Sequence, residues 1–193
     1  MSERTLLVIG AGGHGKAVAE AALLSGEWQR IAFADDRWPA LCETFGWPVV
    51  SDVAGLAALE IQVAGAIAAV GNNAVREQWV EAIRAAGLPL ITVVHPRACV
   101  SAAATIGEGS AIMALAMVGV DAAIGEGAIV NASATVDHDV SLGDFAHLGV
   151  GVHLAGGVVV GARAWLQAGC SAGYRVAVAD GVICAPGTVL VVD

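Results

Sequence analysis

The 193-residue chain is 57% apolar, with a mean hydropathy of +0.74. Its longest uncharged apolar run, Ala111 to Val120, nevertheless stops at Asp121, far short of a membrane span. A net charge of −9 argues against nucleic-acid backbone binding, and four scattered cysteines with no CxxC pair argue against a zinc cluster or disulfide framework. The apolar segment behind Ser2-Glu3-Arg4 is too short for a signal peptide, so a soluble chain in a reducing cytoplasm is expected.

Residues 1–94 alternate strand-like and helix-like segments. Thr5–Ile9 reads as a strand, Gly10–Gly15 as a glycine turn, Lys16–Leu24 as a helix and Ile31–Ala34 as a second strand ending at Asp35-Asp36. Trp47–Val50 reads as an edge strand, Val53–Leu59 as a short helix and Ala66–Val70 as a buried strand. Asn73 is placed to cap a helix over Ala74–Ala86, closed by Gly87, and Leu90–Val94 reads as the last strand. Such alternation implies a parallel sheet with right-handed crossovers.

Residues 95–193 follow a different rule. Every sixth residue from Val94 to Leu190 is a small aliphatic, and fifteen of these seventeen positions are Val, Ile or Leu. Those types supply 54 of 193 residues, so chance would give about five. Gly follows directly at positions 107, 119, 125, 143, 149, 161 and 173. A six-residue period predicts a parallel β-helix of about five coils, with residues 18 apart stacked and the N-terminal domain capping one end.

Gly10-Ala11-Gly12-Gly13-His14-Gly15 fits G-x-G-x-x-G between a strand and a helix, with Asp35 some 20 residues on. Glycines admit a phosphate close to the backbone while a helix N-terminus supplies N–H donors. A domain of this size provides one mononucleotide half, which suits a nucleoside diphosphate carrying a sugar better than a dinucleotide. Gly13, His14, Gly15 and Lys16 are candidates to meet phosphate or sugar, and Asp35 and Asp36 to meet ribose or base. On the repeats, His138 lies between Asp137 and Asp139, the setting of a general base, and His147 follows half a coil later. The two imidazoles therefore occupy different parts of one prism and meet only if subunits associate, for example as a trimer. His153 reads as structural. The histidine spacing argues against a zinc site, and no metal is expected.

The chain resembles the bacterial sugar O- and N-acyltransferases of the sialic-acid O-acetyltransferase and UDP-4-amino-sugar N-acetyltransferase type. The likeness rests on Gly12-Gly13-His14-Gly15-Lys16, Phe33-Ala34-Asp35-Asp36, Val70-Gly71-Asn72-Asn73 with Arg76, Val130-Asn131, Val136-Asp137-His138-Asp139, Gly143 to His147, and Ala155-Gly156. It implies an α/β, half-Rossmann-like domain followed by an all-β left-handed β-helix, a homotrimer, and acetyl-CoA bound between adjacent solenoids. It further implies that Gly71 joins the nucleotide-sugar site, that His138 is the base tuned by Asp139, and that Asn131, His147, Gly156, Ala168 and Pro186 line the acetyl-CoA site. Relatives often carry Glu at the position of Asp139, and a final segment with a Gly-x-Pro-Ala motif is not found before Asp193.

The expected reaction is direct N-acetylation of a sugar amine, with backbone N–H groups or His147 steadying the oxyanion. Sugar O-acetylation is the alternative within the class. An NAD-dependent oxidoreductase and a non-catalytic nucleotide-sugar-binding trimer are the alternatives outside it.

Overall fold

The computed structural model describes residues 3–192. Strands β1 (Thr5–Ile9), β2 (Arg30–Ala34), β4 (Trp47–Ser51) and β5 (Gly65–Ala68) form a parallel sheet in the order β4-β2-β1-β5. The two-residue β3 (Glu43–Thr44) pairs antiparallel with β4 at the outer edge. Helix α1 (Gly13–Ser25) packs on one face and α2 (Asn73–Ala85) on the other, so β1 is buried on both sides. Leu6 and Val8 meet Val18, Ala19 and Ala22 of α1, whereas Leu7 and Ile9 join the core of Val80 and Ile83 of α2. That two-sided burial explains why the central strand reads as a continuous apolar run.

Three local expectations shift. The cap of α2 is Asn72, whose side chain accepts the Val75 N–H, and Asn73 is already helical. A single 3-10 turn, Leu56–Ala58, replaces the short helix. The segment at 90–94 does not extend the sheet beyond one bridge, Ala66 to Leu90. Instead β6 (Val93–Val94) pairs with Ala111–Ile112 and already belongs to the solenoid.

Seventeen two-residue strands, from β6 to β22 (Val189–Leu190), build a three-faced prism. Val118 pairs with both Val100 and Val136, and the same step of 18 recurs on every face. From Ile112 to Leu166 the sixth-residue series is 4% exposed or less. In each of the fourteen turns from Gly109 to Gly187, the third residue after the inward one has positive φ. Glycine fills only half of these positions; Leu115, Asp121, Ser133, Asp139, Phe145, Arg163 and Arg175 fill the rest. The left-handed conformation is thus imposed by coil stacking, which overrides its intrinsic cost to non-glycine residues.

The α/β domain lies along the flank of the prism rather than across its end. Ala111, Met113 and Ala132 of the solenoid join the α1-side core, and Phe145 joins the α2-side core. Val94, with no coil before it, is 37% exposed. The joint is fastened by Arg76, on the buried face of α2 with Val80 and Ile83. Its side chain is fully buried and uses all five N–H groups. Nε donates to Gly127 O at 2.6 Å and Nη2 to Phe145 O at 2.6 Å, both in the solenoid. Nη1 donates to Val70 O and Gly71 O, and Nη2 also to Asn73 Oδ1. Burial lowers its pKa to about 10, so it remains charged near neutrality. Ion pairs Arg163–Glu77 and Arg84–Glu126 flank it at the surface.

Arg76→Met would leave the buried carbonyls of Gly127 and Phe145 and the part-buried carbonyl of Val70 without donors, a cost of about 3 kcal/mol. Scanning calorimetry is expected to show a fall in Tm of about 6–12 °C, and Arg76→Lys should recover little of it. An unchanged Tm would contradict the clamp.

Candidate active site

The glycine motif divides by function. A β-carbon on Gly15 would collide with the carbonyl of Gly10, and Gly10 itself sits at φ +107°, close to Ala69 and Trp79. These two glycines let α1 press against the sheet. Gly15 is therefore a buried packing residue, not a substrate contact as expected. Gly12 and Gly13 have open space where a β-carbon would be. They line a cleft of about 240 Å³ with His14, Asp35, Arg37, Val70, Gly71 and Trp79. The first N–H groups of α1 have no partners within the helix and supply anion-binding donors beside Gly12 and Gly13. Lys16 is exposed on α1 and is not among the residues lining this cleft.

Asp35 and Asp36 part company. Asp35 is buried, and its carboxylate accepts from Ala11 N, Arg37 N, Arg37 Nε at 2.6 Å and Arg37 Nη2 at 2.9 Å. The hydrogen bonds from Arg37 chiefly hold its pKa down, to about 2. Asp36 is exposed and accepts the Val53 N–H.

At its inner end the cleft meets the solenoid. Nδ1 of His147 lies 3.0 Å from Gly71 O, and the imidazole stacks on Trp165 with centroids 5.4 Å apart and planes 8° from parallel. A carbonyl only accepts, so Nδ1 carries the hydrogen. Burial, then the nearby Arg76 charge, lowers the His147 pKa to about 4. At neutral pH Nε2 is therefore an unprotonated acceptor. The expectation that His147 donates to an oxyanion fails on this tautomer. His14 is neutral for the same two reasons, with a pKa of about 4, and its buried Nε2 has no protein partner.

His138 stands on a different edge of the prism, in a stacked column with Val120, Gly156 and Tyr174. Its Nδ1 lies 2.7 Å from Asp139 Oδ2, and its backbone N–H donates to Asp137 Oδ1. The positive φ of Asp139, 58°, is the coil's own turn conformation, and here it accompanies a carboxylate set against the imidazole. The Asp139 hydrogen bond, with the Asp137 charge, raises the His138 pKa above its ordinary 6.5. A β-carbon on Gly156 would collide with Cε1 of His138, so the imidazole lies flat over that glycine. Nε2 is left free on an exposed side chain. His153 bonds Thr135 Oγ1 one coil away, a structural contact.

Asn131, Ala168 and Pro186 lie along a third line, the edge that follows the face bearing His147. Asn131 Oδ1 accepts the Ala132 N–H. One chain thus brings Gly13, His14, Gly71 and His147 together and keeps His138 with Gly156 apart from them. Among the described residues no group of three His, Cys, Asp or Glu side chains is placed to hold a metal. Sequence reasoning missed Arg37 and the work of Arg76. The second had a signal, an arginine on the apolar Val80–Ile83 face of a helix; the first had none beyond its place after Asp35.

Comparison with known proteins is consistent across the chain. The family model for the PglD N-terminal domain matches residues 5–83. The acetyltransferase domain of PglB from Neisseria gonorrhoeae, solved in complex with acetyl coenzyme A, is 38% identical with a TM-score of 0.91 over 98% of this chain and 94% of that one. PerB from Caulobacter crescentus, solved with CoA and GDP-perosamine, is 36% identical with a TM-score of 0.92 over all of this chain and 91% of that one. The UDP-N-acetylbacillosamine N-acetyltransferase of Bacillus subtilis is 35% identical over 113 residues, 58% of this chain. That match spans about half the length of the curated relative, 52%. With its half-Rossmann-like domain and left-handed β-helix, the chain belongs to the hexapeptide-repeat sugar acyltransferases of the UDP-4-amino-sugar N-acetyltransferase type.

Proposed function

We propose that the protein is an acetyl-CoA-dependent N-acetyltransferase of a nucleotide-linked amino-sugar, working as a homotrimer in the cytoplasm. The observation that carries the reading is the Asp139–His138 pair seated on Gly156, in a chain related throughout to PglB and PerB. Four free cysteines support a reducing compartment.

The nucleotide-sugar lies in the glycine cleft, its diphosphate at Gly12, Gly13 and the first turn of α1. His14 Nε2 and His147 Nε2 are the neutral hydrogen-bonding atoms left for the sugar. His138 belongs to the neighbouring chain. In one chain it stands at the turn after Val136, with the face of Ser141–Leu142 and the edge of Asp144 between it and the cleft. Large exposed apolar side chains lie on the two edges that do not carry the Arg76 joint, Val120 and Tyr174 on the His138 edge and Val150 on the edge of Asn131. Trimer contacts there bring His138 of one chain toward the cleft of the next. Acetyl-CoA runs along the same groove, past Asn131, Ala168 and Pro186.

In the reaction, the sugar amine attacks the thioester carbonyl while His138 Nε2 accepts the amine proton. As the new C–N bond forms and the C–S bond breaks, the departing thiolate takes a proton back from the imidazolium. Asp139 orients the ring by accepting from Nδ1–H and stabilises its cation. Donors to the oxyanion are backbone N–H groups, since His147 Nε2 has no hydrogen to give. Position and base together supply the rate, the base about 10²–10⁴-fold.

Three outcomes test this. His138→Ala should lower kcat at least 100-fold in a thiol-release assay while leaving oligomeric state and Tm intact; near-normal turnover would remove the base from the scheme. The active base is the unprotonated imidazole, and its pKa is raised, so kcat/KM should climb with pH through a value above 6.5. Asp139→Asn lowers that pKa and must move the limb to lower pH, with a reduced plateau; an unmoved limb would show that another group titrates. Light scattering should give three times the 19.3 kDa chain mass, and a monodisperse active monomer would refute the intersubunit site.

A further inference from the structure

Arg37 follows the end of β2 and lines the glycine cleft, where a base-reading side chain would be sought. Sequence logic hands that task to Asp35, because an acidic residue some 20 positions after a glycine loop ordinarily accepts from a ribose hydroxyl. Here the two carboxylate oxygens of Asp35 already accept four N–H groups, two from backbone and two from Arg37. The carboxylate is buried and saturated. What it presents to the cleft is the guanidinium it holds.

Arg37 lines the cleft and its side chain is 59% exposed, although a bidentate pair fixes its plane. Nε and one hydrogen of Nη2 are spent on Asp35. The remaining hydrogen of Nη2 and one hydrogen of Nη1 point outward in parallel from the far edge of the group. Such a pair matches two adjacent acceptors in one plane. Guanine offers them as O6 and N7, whereas uracil has carbonyl oxygens separated by an N–H. Among the described residues Arg37 is also the only permanently charged cation lining the cleft, since His14 is neutral and Lys16 lies outside it.

We infer that Arg37, positioned by Asp35, selects a guanosine diphosphate over a uridine diphosphate carrier by bonding guanine O6 and N7. The inference rests on the nucleotide-sugar reading of the cleft and names its base. The test is calorimetric titration of the full chain with GDP, UDP and 7-deaza-GDP, which lacks the N7 acceptor. The wild type should bind GDP about tenfold or more tightly than UDP, and 7-deaza-GDP several-fold more weakly than GDP. Arg37→Ala should bring GDP down to the UDP level and leave UDP within about twofold. Arg37→Lys keeps the charge without the parallel pair, so it should not restore the preference. Equal loss of GDP and UDP affinity in Arg37→Ala would make Arg37 a phosphate contact and overturn the base assignment. Wild-type preference for UDP, or indifference to 7-deaza-GDP, would overturn it as well. Acetyl-CoA binding by each variant controls for folding. Binding of bare nucleotides is read without turnover, so failure of acetyl transfer and failure of this inference are separately visible.

Discussion

A fully buried guanidinium with no carboxylate partner governs this molecule. Taking such a charge out of water costs several kcal/mol after relaxation, and only a complete set of hydrogen bonds offsets it. Arg76 finds its five acceptors only when the loop after β5 and two turns of the solenoid come together around it. The joint between domains is thereby held at two successive coils, and its register is set by side chains that differ from coil to coil, Phe145 in the α2-side core and Arg163 on Glu77. The same charge helps to keep His14 and His147 neutral. One interaction thus sets where the cleft meets the prism and what protonation state its histidines hold.

The solenoid contributes constraint of another kind. Its turns force one residue per hexapeptide into the left-handed region whatever its identity. Asp139 occupies that position, beside the imidazole it orients. The next coil carries Gly156 directly under the ring, where any side chain would push the imidazole off. Phe145 uses the same turn position on another edge to join the α2-side core, and its carbonyl reaches Arg76. A repeat that looks monotonous in its core is therefore specific at its corners.

Much of this was legible from residue order. The six-residue period located one column of inward side chains, buried from Ile112 to Cys184, because each coil stacks its aliphatic on those of its neighbours. The second buried column, Ala116, Ala122, Val140 and their equivalents, was not part of that series. The glycine motif located the cleft, and the Asp137-His138-Asp139 run located the carboxylate-bound imidazole proposed as the base. Misreadings came where packing and hydrogen bonds that the residue order does not record intervene. Asn73 looked like a cap, but its amide is taken up by Arg163 O and Arg76. Gly15 looked like a phosphate contact, but Gly10 needs its bare α-carbon. His147 looked like a donor, but Gly71 O fixes its hydrogen on the other nitrogen.

Local sequence by itself determined the two architectures, the strand-loop-helix cleft and the carboxylate-flanked histidine, since each is encoded by periodicity or by neighbours one to six residues away. Only tertiary structure decided that the α/β domain lies along the flank, that Asp35 is spent on Arg37, and that His138 stands apart from its own chain's cleft. Those outcomes depend on burial and on hydrogen bonds between residues 90 positions apart, such as Asn73 with Arg163. A linear pattern records which side chains are available; the packed structure determines which of their donors and acceptors remain free.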